Sequence, residues 1–385
     1  MEKDRRISKR KTRISIVLAA VSVVLAVSGR IAPGFAQWYG THLYPLWVGS
    51  IGRFMGYFPF SVSEMLLYVL LAWVIWGIAK SVGRRAAGRG ASDGVIVDKA
   101  AGDGDDRDDR GDRCAADCLL DLVFLAAALW FLYVVNCGIN YHKNSFSETS
   151  GIRANEYTAE ELREVCQWLT EQVSVYSGKV ERGSEGEMLL DIPAGEYAVK
   201  TMEELGREYP ELAGYYPQPK KLVNSWILSV QHLSGIYSPF TIEANYNGDM
   251  QDYYIPFTAC HELSHLRGFM QEQEANFIAY LACIGSEEAA FAYSGSLSGW
   301  TQCMNVLYRA DYDAWEELRE QLPAEVEVDL QLNREFWAKY DGRIAEVSNR
   351  VNDTYLKANG QKDGVESYNR MVDLIVAYYK MNIIR

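Results

Sequence analysis

His261-Glu262-Leu263-Ser264-His265 places two of the chain's five histidines four residues apart, with a glutamate directly after the first. On a helix, positions i and i+4 share a face, so both imidazoles reach one ion while Glu262 projects beside it. This is the arrangement of a zinc peptidase. Two neutral imidazole nitrogens suit Zn2+, a borderline-soft cation. A third protein ligand is still required, and the open fourth position holds a water whose pKa falls to about 7. Glu262 is then the base that accepts the proton of that water. The competing account is two polar residues that fall at helical spacing on a partly buried helix.

Reading downstream, Gly268 can end the first helix, and Glu272-Gln273-Glu274-Ala275-Asn276-Phe277 opens a second, so a tight turn joins the two. The pattern Glu272-x-x-Ala275-Asn276 resembles the ExxA(D/N) ligand helix of gluzincins, in which the leading glutamate is the third zinc ligand. The resemblance implies Glu272 as that ligand and Asn276, where several gluzincin groups carry Asp, as a group that orients a ligand histidine. Glu274 is the competing ligand. Its other reading is a solvated acid in the first helical turn, favoured by the helix dipole. Negative charge built on a carbonyl oxygen also needs a donor, and among 25 tyrosines Tyr368 and Tyr355 lie in a polar, glycine-containing stretch suited to lining a site. Tyr368 is the one assigned a catalytic part; Arg343, Arg350 and His232 are lesser candidates.

The elements that must position this site begin with apolar spans. Arg5, Arg6, Lys9, Arg10, Lys11 and Arg13 precede an apolar segment at 14–28, and further spans are expected at 60–82 and 119–139. A charged Ser28-Gly29-Arg30 junction argues for an uncleaved anchor over a signal peptide. Residues 83–117, rich in Gly, Asp and Arg, cannot bury an apolar core and are expected to form a disordered loop. Basic residues in the tail and at Arg84, Arg85 and Arg89 place tail and loop in the cytoplasm, so three crossings leave residues 140–385 outside. Residues 1–139 are thus read as a membrane anchor and 140–385 as one extracytoplasmic catalytic domain. The connector between the first two spans, with Trp38, Tyr44, Trp47, Phe54 and Tyr57, reads as an aromatic interfacial hairpin, and His42 within it as structural.

The exported part has a mostly helical pattern with a small β component. Helices are expected at 158–173, opened by a Thr158 to Glu161 capping box, in part of 188–209, and at 221–230, 287–293, 299–309, 312–321, 330–356 and 364–381. One strand is expected at 236–245, upstream of the metal helix, where an edge could pair with an extended substrate; Pro239 suits an edge. Seven cysteines include no CxxC pair; Cys260 and Cys283 read as small apolar groups that pack, and the alternative is a bridge from Cys260 to Cys283 or Cys303 outside the cell. A net charge of -13 disfavours nucleic acid as a partner.

Taken together, the three spans, GIYSPFTIEANYN, IPFTACHELSHLRGF, EQEANFIAYLAC and NDTYLKANGQKDGVESYNRMVDLIVAYY resemble a bacterial integral-membrane, gluzincin-like family, domain of unknown function 3810. That resemblance implies a zincin-like domain with His261, His265 and Glu272 on Zn2+ and Glu262 as base. The expected function is a membrane-anchored zinc metallopeptidase that hydrolyses an extracytoplasmic protein or peptide. The alternative is a membrane-anchored sensory or binding protein with a structural or inactive zinc site. A closed structural site needs a fourth protein ligand, and no Cys or His stands at a convincing spacing for one.

Overall fold

The computed structural model describes residues 2–32, 34–90, 105–361 and 370–384. It is mostly helical, with one three-stranded sheet. In chain order the helices are α1 (Glu2–Ile31), α2 (Phe35–His42), α3 (Tyr44–Trp47), α4 (Arg53–Gly56), α5 (Val62–Gly90), α6 (Asp105–Tyr133), α7 (Phe146–Ser150), α8 (Ala159–Ser177) and α9 (Ala194–Glu208). They continue with α10 (Trp226–Ser229), α11 (Ile255–Leu266), α12 (Glu272–Ile284), α13 (Ala289–Ala310), α14 (Tyr312–Glu320), α15 (Ala324–Ala338), α16 (Arg343–Ala358) and α17 (Met371–Asn382). Strands β1 (Lys220–Lys221), β2 (Gly235–Ser238) and β3 (Glu243–Tyr246) lie in the order β1-β3-β2.

Two stretches, Arg6–Ile31 and Leu119–His142, are long and apolar enough to cross a membrane by length and composition, and Val62–Gly77 is apolar but shorter. The first two run parallel. Lys11 pairs with Asp121 near their starts, and at their ends Gly29 lies against Ile139, where a Cβ would meet the Ile139 Cα at 3.6 Å. Ser15 and Ser22 return their hydroxyls to the carbonyls of Lys11 and Leu18, which leaves no free donor on α1 at those positions. Helix extends beyond the expected spans: the backbone of 83–90 and 105–117 is helical where a loop was expected, and 91–104 lie outside the described residues. Alanines and arginines continue a helix already nucleated by a span at little cost.

The start of α5 is tied to the sheet. Glu243 on β3 accepts from the amides of Val62 and Ser63, which have no partner within the helix, while Lys220 on β1 donates to Glu243 and to the Met55 carbonyl. Glu64 reciprocates by accepting from the amides of Val223 and Asn224.

Elsewhere the Thr158 to Glu161 capping box forms as expected and opens α8. The helices expected at 287–293 and 299–309 are one, α13, because its glycines serve close packing: a Cβ on Gly295 or Gly299 would sit 2.5 Å from Cys283 or 2.6 Å from the Tyr280 ring. Conversely the helix expected at 330–356 is two, broken at Gly342, whose backbone is extended. The segment 221–230 holds the end of β1 and the single turn α10 instead of a full helix, and the last helix begins at Met371 with 364–369 outside the described residues. The strand expected at 236–245 is a hairpin. Pro239 to Ile242 make its turn, with Ile242 at φ 54, so Pro239 leaves the ladder intact and β2 forms the sheet edge. Buried side chains of α8, α11, α12, α13 and α17 make the main core, which continues across the boundary expected at 139/140 to Tyr39, Tyr44, Val48 and Ile139. The cysteines described, Cys137, Cys166, Cys260, Cys283 and Cys303, are buried and unpaired.

Candidate metal centre

α11 is apolar nearly all round and buried along its length, with His261 only slightly exposed, so its polar residues must find partners inside the protein. Pro256 sits in its first turn, where its missing N–H costs no helical bond. The helix ends in a Schellman motif. Gly268, at φ 91, bonds through its amide to the His265 carbonyl, and Phe269 through its amide to the Ser264 carbonyl. This turn delivers the Phe269 carbonyl to His265 Nδ1 at 2.8 Å, which fixes the ring and leaves Nε2 free to bind. The chain then turns back at once, and Glu272 opens α12 facing the two histidines.

His261 Nε2 stands 3.3 Å and His265 Nε2 3.6 Å from Glu272 Oε2, and the ligand atoms of the three lie within 4.8 Å of one another. Ligands at about 2.0–2.1 Å from a tetrahedral Zn2+ stand about 3.4 Å apart. The donor set and its spacing therefore fit a metal ion with little adjustment. Without one, the carboxylate and imidazoles compensate each other. Burial opposes charge on Glu272, yet His265 and His261 hold its carboxyl well below the ordinary range. Burial likewise opposes the His265 imidazolium, but Glu272 raises it to about 9. His261 Nδ1 is buried without a partner.

Glu262 lies beside this set and points at the hairpin. Burial pushes its carboxyl up to about 7, against the lowering effect of the two histidines. Oε2 is buried and unpartnered, whereas the Tyr237 backbone on β2 bonds to the carboxylate. Gly235 makes this approach feasible: a Cβ there would stand 2.5 Å from Glu262 Oε1. From the connector, Tyr44 donates to the Leu266 carbonyl at the end of α11 and lies 2.9 Å from the Tyr237 hydroxyl. The connector expected to be an interfacial hairpin thus sends Tyr39 and Tyr44 into the core, and leaves Trp38, Trp47, Phe54 and Tyr57 exposed.

The structure brings His261, Glu262, His265 and Glu272 together. Tyr368 lies outside the described residues. Glu274 is buried and not solvated as its alternative reading held: it accepts from the amide and hydroxyl of Ser147, away from the metal set. Among the described residues no hydrogen bond joins Asn276 to either histidine, and the Phe269 carbonyl takes that orienting part for His265. His232 Nε2 lies 3.4 Å from Asp341 Oδ1 and its ring packs on Trp337, and Arg343 and Arg350 are exposed. Tyr355 packs on Tyr133 and Tyr141, its hydroxyl 3.5 Å from Cys137 Sγ. The roles of Phe269, Tyr44 and Gly235 were missed. Of these only Gly235, a glycine at the head of a β-branched and aromatic run, carried a signal, since such a glycine marks a close approach.

A family model described as "Protein of unknown function (DUF3810)" matches residues 39–376. The chain belongs to this family. The match takes in the connector from Tyr39 onward, the α5 and α6 helices and all four residues of the candidate metal centre. No curated protein and no solved structure matches the chain.

Proposed function

We propose that this DUF3810 protein is a membrane-anchored, zinc-dependent metallopeptidase with a gluzincin-like site in a zincin-like domain, hydrolysing peptide bonds of an extracytoplasmic protein or peptide. The observation that carries the reading is the convergence of His261, His265 and Glu272 at the spacing of tetrahedral ligands, with the buried carboxylate of Glu262 alongside. A bound Zn2+ would supply Lewis-acid activation of a water molecule and of the scissile carbonyl. Glu262 does the proton work. Its unpartnered, buried Oε2 would take a proton from the attacking water and return it to the leaving amine. Gly235 and the Tyr237 backbone hold that carboxylate in place. The edge of β2, free of a further strand among the described residues, offers backbone groups to an extended peptide next to Glu262.

The anchor reading has three crossings, at α1, α5 and α6, with residues 1–139 as anchor and 140–385 outside. Its support is that the end of α1, the start of α5 and the end of α6 all meet the same region: Arg30 lies beside His142, Glu243 caps Val62, and Asn136 donates to the Pro239 carbonyl. The test is zinc content and cleavage of fluorogenic peptides by the full chain in detergent or nanodiscs. Wild-type protein should bind one zinc per chain and cleave. Glu262→Gln should keep the zinc and lose turnover, and His265→Ala should lose both.

A further inference from the structure

α16 divides into three faces. At about 100° per residue, Ile344, Val347, Val351, Tyr355 and Ala358 fall in a sector about 80° wide, Ala345 and Leu356 in the next, and the charged residues in a third. Ala345 and Leu356 are the helix's buried residues and face the protein. Toward the start of the helix the first sector faces outward, with Ile344 57%, Val347 51% and Val351 63% exposed, whereas Tyr355 near its end packs on Tyr133 and Tyr141. Within the third sector Arg343, Arg350 and Lys357 lie nearest the stripe, and Glu346 and Asp353 farthest from it. An apolar face with cations along one flank is the pattern of a helix lying in a lipid headgroup region; Arg343 and Arg350 are exposed there, while Lys357 pairs with Asp353.

A second observation places one end of this helix. Its C-terminal end is bonded to the two candidate membrane spans: Arg30, at the end of α1, donates to the Ala358 carbonyl at 2.9 Å, and Tyr133 donates to Asn359 Oδ1 at 2.7 Å. The Tyr355 ring packs on Tyr133, 6.2 Å between centroids. The end of the stripe at Tyr355 and Ala358 therefore lies at the level where those spans would leave the hydrocarbon.

We propose that α16 lies in the bilayer interface on the domain's side of the membrane, with Ile344, Val347 and Val351 in lipid. This rests on the membrane-anchored reading above. It gives the domain a lateral contact with the bilayer beside its spans, through Tyr355 and Cys137 to Met270 near the metal helix.

The test is spin-label accessibility in the full chain reconstituted in nanodiscs of phosphatidylcholine and phosphatidylglycerol, with Cys114→Ser and Cys118→Ser to remove background; Cys137, Cys166, Cys260, Cys283 and Cys303 are buried. Labels enter singly through V347C, V351C, D353C and, in α1, V24C. The expected result is high oxygen and low nickel-chelate accessibility at 347, 351 and 24, and the reverse at 353. Nickel-favoured labels at 347 and 351, with 24 still oxygen-favoured, would overturn the proposal alone. Nickel-favoured labelling at 24 would overturn the membrane reading and the proposal with it. Dipolar broadening at 351 that vanishes on dilution with unlabelled protein would show a second copy on the stripe, and also overturns it.

Discussion

Gly235→Ala isolates the position of Glu262 from its chemistry. The new methyl would meet Glu262 Oε1 at 2.5 Å and Cγ at 2.8 Å, where ordinary contact begins at 3.4 Å, so about 0.9 Å must be found. The strand cannot supply it by moving toward its partner, because the Asn245 carbonyl is already 2.9 Å from the same point. Glu262 must therefore swing away from β2. Displacing a catalytic group by about 1 Å costs about 10²-fold in rate, or about 2.7 kcal/mol of transition-state stabilisation. Overpacking should also lower the folding stability by about 1–3 kcal/mol. The atoms nearest this methyl belong to Glu262 and Asn245 and not to a proposed ligand, so zinc binding should be unchanged. Gly178→Ala, with nothing within 4 Å, is the matched control and should leave rate and zinc untouched. Peptide cleavage, zinc stoichiometry and thermal unfolding, measured on the same preparations, decide the matter. Full activity in Gly235→Ala, with zinc bound, would refute the claim that this carboxylate's position governs turnover.

The competing third ligands separate cleanly: Glu272→Ala should abolish stoichiometric zinc, whereas Glu274→Ala should retain it and lose about 1–3 kcal/mol of stability by stranding the Ser147 donors, as read by metal analysis and denaturant unfolding. Lys220→Ala should cost about 3–5 kcal/mol, because Glu243 is left charged, buried and short of a partner at the start of α5. Glu262 has a folded pKa above its unfolded value, so its contribution to the metal-free protein is favourable below the usual carboxylate pKa and is lost as pH rises through about 7. Glu262→Gln should accordingly raise the stability of the metal-free protein at pH 8 by about 1–3 kcal/mol, and change it little at pH 4, in calorimetry at the two pH values.

The candidate metal centre was legible because its determinants are local. Four-residue spacing on one helix, a glycine that must take the left-handed conformation, and a glutamate opening the next helix are all read within a dozen residues, as was the Thr158 cap. What escaped depends on distant partners. Glu274 looks like a solvated first-turn acid until Ser147 packs against it, and Tyr44 gives no hint that it closes the end of α11. The hairpin was read as one strand because its turn ends on Ile242, a β-branched residue at positive φ that residue type does not announce. The helices expected at 287–293 and 299–309 are continuous because Gly295 and Gly299 let the helix pack closely, while Gly342, with nothing near it, does break one.

The central claim is that His261, His265 and Glu272 hold a zinc ion on which Glu262 acts as base. Its most direct test is zinc content and peptide turnover of the full chain beside Glu262→Gln. The account predicts one zinc per chain in both proteins and turnover in the wild type only. Absence of bound zinc from the wild type, or undiminished turnover in Glu262→Gln, would contradict it.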